Sequence, residues 1–88
     1  MSKITFSEDA WEEYLYWQNQ DKKTLKKINE LLKDIQRTPF TGKGTPEGLR
    51  GELSGKWSRR INQKDRLVYE VSDSTIVVIQ CRGHYKDK

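Results

Sequence analysis

Between residues 25 and 35 the apolar positions Leu25, Ile28, Leu31, Leu32 and Ile35 recur in steps of three and four, the spacing of one helical face. Asp21 stands where a side-chain carboxylate caps such a helix. Pro39 ends it, because proline lacks an amide donor and its predecessor avoids helical angles. The other face carries Lys22, Lys23, Lys26, Lys27 and Lys33, which suits phosphate backbone and water equally. An earlier helix is expected after Ser7, an N-cap with Glu8 and Asp9 at the positive helix end. Trp11, Tyr14, Leu15 and Gln18 share a face of it, an aromatic-rich packing stripe. With few residues between them, the two helices should form an antiparallel hairpin.

Elsewhere the period is two. A short strand is expected at 4–6, and from Leu49 onward strands are expected at 49–53, 56–61, 66–71 and 75–81. The breaks between them, Ser54-Gly55 and residues 62–65 and 72–74, are turn formers. Strand, helix, helix and then consecutive strands predict an α+β domain over residues 1–88. Its N-terminal strand and helical hairpin pack on one face of a mostly antiparallel sheet, and the other face stays open.

Only 33% of the 88 residues are hydrophobic, so three Trp, four Tyr and two Phe must carry much of the core. A second copy or a partner covering apolar surface fits that composition. The net charge of +4 is uneven: residues 1–21 hold one lysine against five acids, and the excess of cations lies beyond them. That later part is the expected footprint for a polyanion. Cys81 is the only cysteine, which excludes an internal disulfide and a Cys-based zinc site and fits a cytoplasmic protein. The longest apolar run, Ile76-Val77-Val78-Ile79, is far too short to span a membrane. Residues 41–48 are glycine-rich but lack the Lys-Ser/Thr pair that follows the second glycine of a phosphate-binding loop, so a nucleotide site is rejected.

Four residues carry candidate chemistry for cutting RNA. Alternation puts Arg66 with Val68 and Glu70, opposite Leu67, Tyr69 and Val71; if the latter set meets the helices, Arg66 points to the open face and can grip a phosphate with its planar fork. A salt bridge to Glu70 or Glu52 is the competing use. Glu47 is an isolated acid among Lys43, Arg50 and Lys56, suited to a general base. His84, the only histidine, can donate a proton to a leaving 5′ oxygen, although an exposed histidine near a terminus needs no such role. Tyr85 beside it can stack on a base or pack on the sheet. Arg59 and Arg60 are strand neighbours and face opposite ways, so only one shares the surface of Arg66. One histidine and no paired carboxylates leave a metal-free, cofactor-free scheme: attack by an RNA 2′ hydroxyl on its own adjacent phosphate.

Several stretches taken together resemble a known family: Tyr14-Leu15-Tyr16-Trp17, Lys26-Lys27-Ile28-Asn29-Glu30-Leu31, Arg37-Thr38-Pro39-Phe40, Gly42-Lys43-Gly44, Pro46-Glu47, Leu53-Ser54-Gly55, Trp57-Ser58-Arg59-Arg60-Ile61, Arg66-Leu67-Val68-Tyr69 and His84-Tyr85. Over nearly its whole length the chain is similar to the YoeB (Txe) toxins of the RelE-like superfamily. The resemblance implies a RelE-like fold and a ribosome-dependent mRNA interferase that cuts mRNA in the ribosomal A site. It implies a cognate YefM-type antitoxin, a homodimer, and contact with operator DNA through the antitoxin complex. It implies Glu47 as general base, Arg66 as transition-state clamp, His84 as general acid and Tyr85 as orienting residue. Lys43, Lys56, Arg59 and Arg60 are further candidates for contacts to RNA or ribosome. The chain departs from the family pattern at Asp65, Gly48 and the extension Lys86-Asp87-Lys88, and Asp65 is placed to compete for Arg66. A non-catalytic module that blocks translation by obstruction, or an antitoxin-bound co-repressor, are the alternative functions.

Overall fold

Asp21 alone separates the two helices, α1 (Glu8–Gln20) and α2 (Lys22–Arg37). Its amide closes α1 on the carbonyl of Trp17 at 2.9 Å, and its carboxylate caps α2 by accepting from the amides of Lys23 and Thr24. Both expected caps are present, since the Ser7 hydroxyl accepts from Ala10 N at 3.1 Å. The helices run antiparallel, and the Tyr14 hydroxyl donates to Asn29 Oδ1 at 2.8 Å across them. In this computed structural model, residues 2–84 are described.

The strands are β1 (Lys3–Phe6), β2 (Glu47–Gly48), β3 (Trp57–Arg60), β4 (Arg66–Ser72) and β5 (Thr75–Gln80), in the sheet order β1-β5-β4-β3-β2. β1 runs parallel to β5 and the other pairs are antiparallel, as an α+β fold with a helical crossover requires. The core lies between sheet and helices. Ile28, Leu31 and Ile35 of α2 and Leu67, Tyr69, Ile76 and Val78 of the sheet are fully buried in it. No helix among the described residues is long and apolar enough to cross a membrane.

Three sequence expectations are corrected. The expected strand at 49–53 is a 3-10 turn at Gly51–Leu53, because Gly51 sits at φ +67 and turns the chain away; the strand is the preceding pair Glu47–Gly48. The stripe of α1 is displaced: Ala10 and Trp17 are buried, whereas Trp11 is 46% exposed and stacks on Tyr14. The small Ala10 lets the helix backbone approach Cys81, whose thiol reaches the Ala10 carbonyl at 3.6 Å, and Trp17 Nε1 donates to the Cys81 carbonyl. The second sheet face is not wholly open, since Val68 and Ser58 are buried.

A bulge sets the end of β5. Val68 pairs with Gln80 and Tyr69 with Val78, so Ile79 is the extra residue. Ile76, Val78 and then Cys81 face the helices, and Gln80 turns to the opposite face.

Arg59 faces the helices and is fully buried. Its Nη1 donates to Asp34 Oδ2 at 2.6 Å and to the Lys43 carbonyl at 3.0 Å. Its Nη2 donates to the carbonyls of Thr38 at 2.6 Å and Thr41 at 2.8 Å, and its Nε to the Tyr69 hydroxyl at 3.1 Å. All five N–H groups are thereby used. Tyr69 passes its own proton to the Pro39 carbonyl, and Asp34 accepts from Lys43 N. The loop from α2 to β2 is thus drawn inward by one buried polar knot.

Hydrogen bonds from Lys43 N and from Arg59 hold the Asp34 carboxyl below the usual range. Protons therefore bind the unfolded chain more readily. The stabilisation is complete above the ordinary value of 3.8 and is lost as pH falls through the lower folded value. Asp34→Asn leaves Arg59 buried without its counter-ion and should cost about 3–5 kcal/mol at pH 7. Urea unfolding from pH 7 to pH 2 should show that gap closing only at the acid end. Gly42, at φ +118, has no room for a Cβ beside the Asp34 carboxylate, whereas a Cβ at Gly55 meets nothing within 4 Å. Gly42→Ala should therefore cost about 2 kcal/mol or more and Gly55→Ala about 1 kcal/mol, compared in the same assay.

Candidate active site

Register places the candidate residues. Glu47 is opposite Ser58, Ser58 is opposite Val68, and Arg60 is opposite Arg66. Directly paired residues share a face, and so do residues two apart on a strand, so Glu47, Ser58, Arg60, Arg66 and Val68 all lie on the sheet face away from the helices. From Glu47 to Arg66 is two interstrand steps and two residues along, about 12 Å between Cα atoms. Side chains of that length can close on one phosphate between them.

Arg60 is therefore the member of its pair that shares the surface of Arg66. Arg59, considered from sequence as an RNA contact, is instead inside the protein with every donor occupied. Lys56 stands one residue before β3, in phase with Ser58 and Arg60. The amide and carbonyl of Lys43 belong to the buried knot, while the residue itself is exposed.

Arg66 is half-buried, and its Nη1 donates to the carbonyls of Asn62 at 2.7 Å and Asp65 at 3.1 Å. Those bonds fix the base of the side chain's fork against the β3–β4 turn. Among the described residues, the salt bridges are the two that Asp34 makes, so neither Glu70 nor Glu52 pairs with Arg66. Nor does the Asp65 carboxylate compete for it. That carboxylate is buried and accepts from Asn62 Nδ2 at 3.0 Å and from Gly83 N at 2.7 Å.

His84 is exposed at the end of a strapped segment. Cys81 is held by α1: its carbonyl accepts from Trp17 Nε1 and its amide donates to Glu13 Oε1, each at 2.8 Å. Arg82 lies 3.6 Å over the Tyr16 ring. Gly83 closes the strap, its carbonyl accepting from Arg66 N at 3.0 Å and from Gln80 Nε2 at 2.8 Å. The chain therefore reaches His84 immediately beside the start of β4. Tyr85 lies outside the described residues.

Two titratable groups flank the strap. Burial pushes the Cys81 thiol up to about 12, helped by the charges of Glu13 and Asp65, so no thiolate is available near neutrality. Burial also raises the Glu13 carboxyl, against the hydrogen bond from Cys81 N.

Sequence reasoning missed Asp65, Asn62 and Gln80 as supports of this face. The Asn62-x-x-Asp65 spacing was a signal for the first two, since Asn62 Oδ1 accepts from the amides of Lys64 and Asp65 in a side-chain-capped turn. Gln80 gave no signal, because only the bulge turns it outward.

The whole arrangement has close counterparts. Residues 6–85 match the sequence profile described as the YoeB-like toxin of bacterial type II toxin-antitoxin system. The toxin YoeB of Escherichia coli K12 is 57% identical, the match covering 94% of this chain and 99% of that protein. A YoeB dimer from Staphylococcus aureus superposes with a TM-score of 0.89 at 52% identity, covering 96% and 98% of the two chains. The heterotetrameric YoeB-YefM toxin-antitoxin complex from the same organism gives a TM-score of 0.89 at 51% identity, covering 97% and 99%. Matched over 80 residues that include every part of the face just described, the chain belongs to the YoeB-like toxin family of bacterial type II toxin-antitoxin systems.

Proposed function

We propose that this toxin is an endoribonuclease that arrests translation by cutting mRNA in the ribosomal A site, without a metal or other cofactor. One observation carries the reading: Glu47, Arg60 and Arg66 lie on one sheet face, and the strap leading to His84 is hydrogen-bonded to the backbone of Arg66. A base and a cationic clamp on one face, with an acid on the neighbouring strap, suit transfer of a phosphoryl group within RNA.

In the proposed reaction Glu47 removes the proton of a ribose 2′ hydroxyl, and the oxygen attacks the adjacent phosphorus. Arg66, with Arg60 beside it, stabilises the extra negative charge of the pentacoordinate transition state. His84 gives a proton to the departing 5′ oxygen. The P–O5′ bond breaks, leaving a 2′,3′-cyclic phosphate on one product and a 5′ hydroxyl on the other. Tyr85 orients the substrate, and Lys43 and Lys56 add contacts to RNA or ribosome.

The solved complex and dimer from Staphylococcus aureus support a YefM-type antitoxin as partner and a homodimer as the free form. Operator DNA is then reached through the antitoxin complex. The site of action is the cytoplasm, where the ribosomes are.

The test is a translation reaction on a defined mRNA with the RNA ends mapped by primer extension. The parent should give discrete cuts near the occupied A site. Glu47→Gln and His84→Ala should each slow cutting by about 10²–10⁴-fold. Replacing the 2′ hydroxyl at the cut with hydrogen should abolish the cut. Arrested synthesis with intact mRNA would overturn the nuclease reading in favour of a protein that binds and blocks. In the same assay Arg60→Ala, which leaves the buried knot untouched, should weaken cutting while the melting temperature stays within about 2 °C of the parent's. Arg59→Ala should act instead through lost stability.

A further inference from the structure

Among the described residues, the buried carboxylate of Asp65 has no cation as a partner. It is 6% exposed, and its oxygens accept from Asn62 Nδ2 and Gly83 N. Such a group is costly to hold inside a protein unless amide donors replace its water, and here one of those donors is the backbone of the strap itself. We propose that Asp65 is a positioning residue that fixes where His84 stands relative to Arg66.

Gly83 N belongs to the peptide unit shared with Arg82, and Gly83 O to the unit shared with His84. Asp65 Oδ1 holds the first at 2.7 Å, and Arg66 N and Gln80 Nε2 hold the second at 3.0 and 2.8 Å. A peptide unit is planar, so fixing both units about Gly83 fixes the Cα of His84. Only rotations within His84 are left. Gly83 adopts φ +79, the left-handed turn that presents its amide and its carbonyl to these partners on β4 and the turn before it.

The turn bearing Asp65 is itself rigid. Its amide donates to Asn62 Oδ1 at 2.7 Å and its carbonyl accepts from Ile61 N at 3.1 Å. The same turn offers the carbonyls of Asn62 and Asp65 to the Arg66 guanidinium. One turn thus sets both the clamp and the chain segment that carries the acid. Loss of the carboxylate frees the strap without removing any group that touches RNA, so the effect falls on the chemical step and not on binding.

This catalytic consequence rests on the nuclease reading, and the test keeps the two apart. Asp65→Ala removes both acceptors. Asp65→Asn keeps the volume but must place its amide nitrogen against either Asn62 Nδ2 or Gly83 N, so one of the two bonds is lost. Amide hydrogen exchange by NMR on the free toxin should show Gly83 exchanging at least about 10-fold faster in Asp65→Ala, with the core amides of Leu67 and Ile76 unchanged. In the translation reaction kcat should fall about 10-fold or more while KM stays within about twofold. Gly83 exchange equal to the parent's in Asp65→Ala overturns the anchor. Faster exchange with an unchanged kcat overturns its role in positioning. A parent that cuts no RNA overturns the nuclease reading, and the exchange of Gly83 still decides whether Asp65 holds the strap.

Discussion

The buried guanidinium of Arg59 is the constraint on which the proposed catalytic face depends. A charge with no exposure is tolerable only when each of its donors is paired, and Arg59 meets that condition with Asp34, Tyr69 and three loop carbonyls. The residues that satisfy it come from α2, from β4 and from the connection between α2 and β2. Satisfying one side chain therefore settles the path of a loop that has no regular structure of its own. That loop delivers Glu47 to the sheet edge, with Gly44 O accepting from Arg60 N at 2.7 Å as its last tie before β2. The side chain is remote from RNA in the sense that matters for chemistry, yet the proposed base is positioned through it.

At the far end of the same face a second polar arrangement does similar work on the C-terminal segment. Trp17 and Glu13 of α1 take hold of Cys81, Tyr16 underlies Arg82, and Asp65 with Arg66 and Gln80 holds Gly83. Three successive residues are each fixed by a different partner. Proposed base and proposed acid thus arrive on irregular segments, and buried hydrogen bonds give each segment the rigidity that a regular element would supply. Between them Arg60 and Arg66 stand on paired strands, where the ladder sets their spacing without further support. This division suits a small chain with few apolar residues, in which polar knots take over part of the ordering that a larger core would provide.

Family membership and physical reading contribute different things. Similarity to the YoeB toxins rests on matched residues and says nothing of how Asp65 is used. The hydrogen bonds supply that part. A carboxylate expected to compete with RNA for Arg66 is turned away from the guanidinium, and it holds the neighbouring strap instead.

The helices, their two caps, the strands other than β2 and the α+β arrangement were determined by the sequence alone, because these are local matters. Periods of 3.6 and 2 follow from backbone geometry, and Ser7, Asp21 and Pro39 act on amides within a few residues. Glu47, Arg66 and His84 were also legible as chemically apt groups in a basic chain with one histidine. Tertiary structure decided the rest. Parity required Arg59 and Arg60 to face opposite ways, but only the location of Asp34 on α2 told which went inside. The packing stripe of α1 fell on Ala10 and Trp17 because both meet Cys81, the first by close backbone approach and the second through its indole N–H. Gln80 faced outward because a single extra residue, Ile79, reversed the alternation of β5. In each case the deciding partner lies far along the chain, and a side chain's preference cannot reveal a neighbour that only folding brings to it.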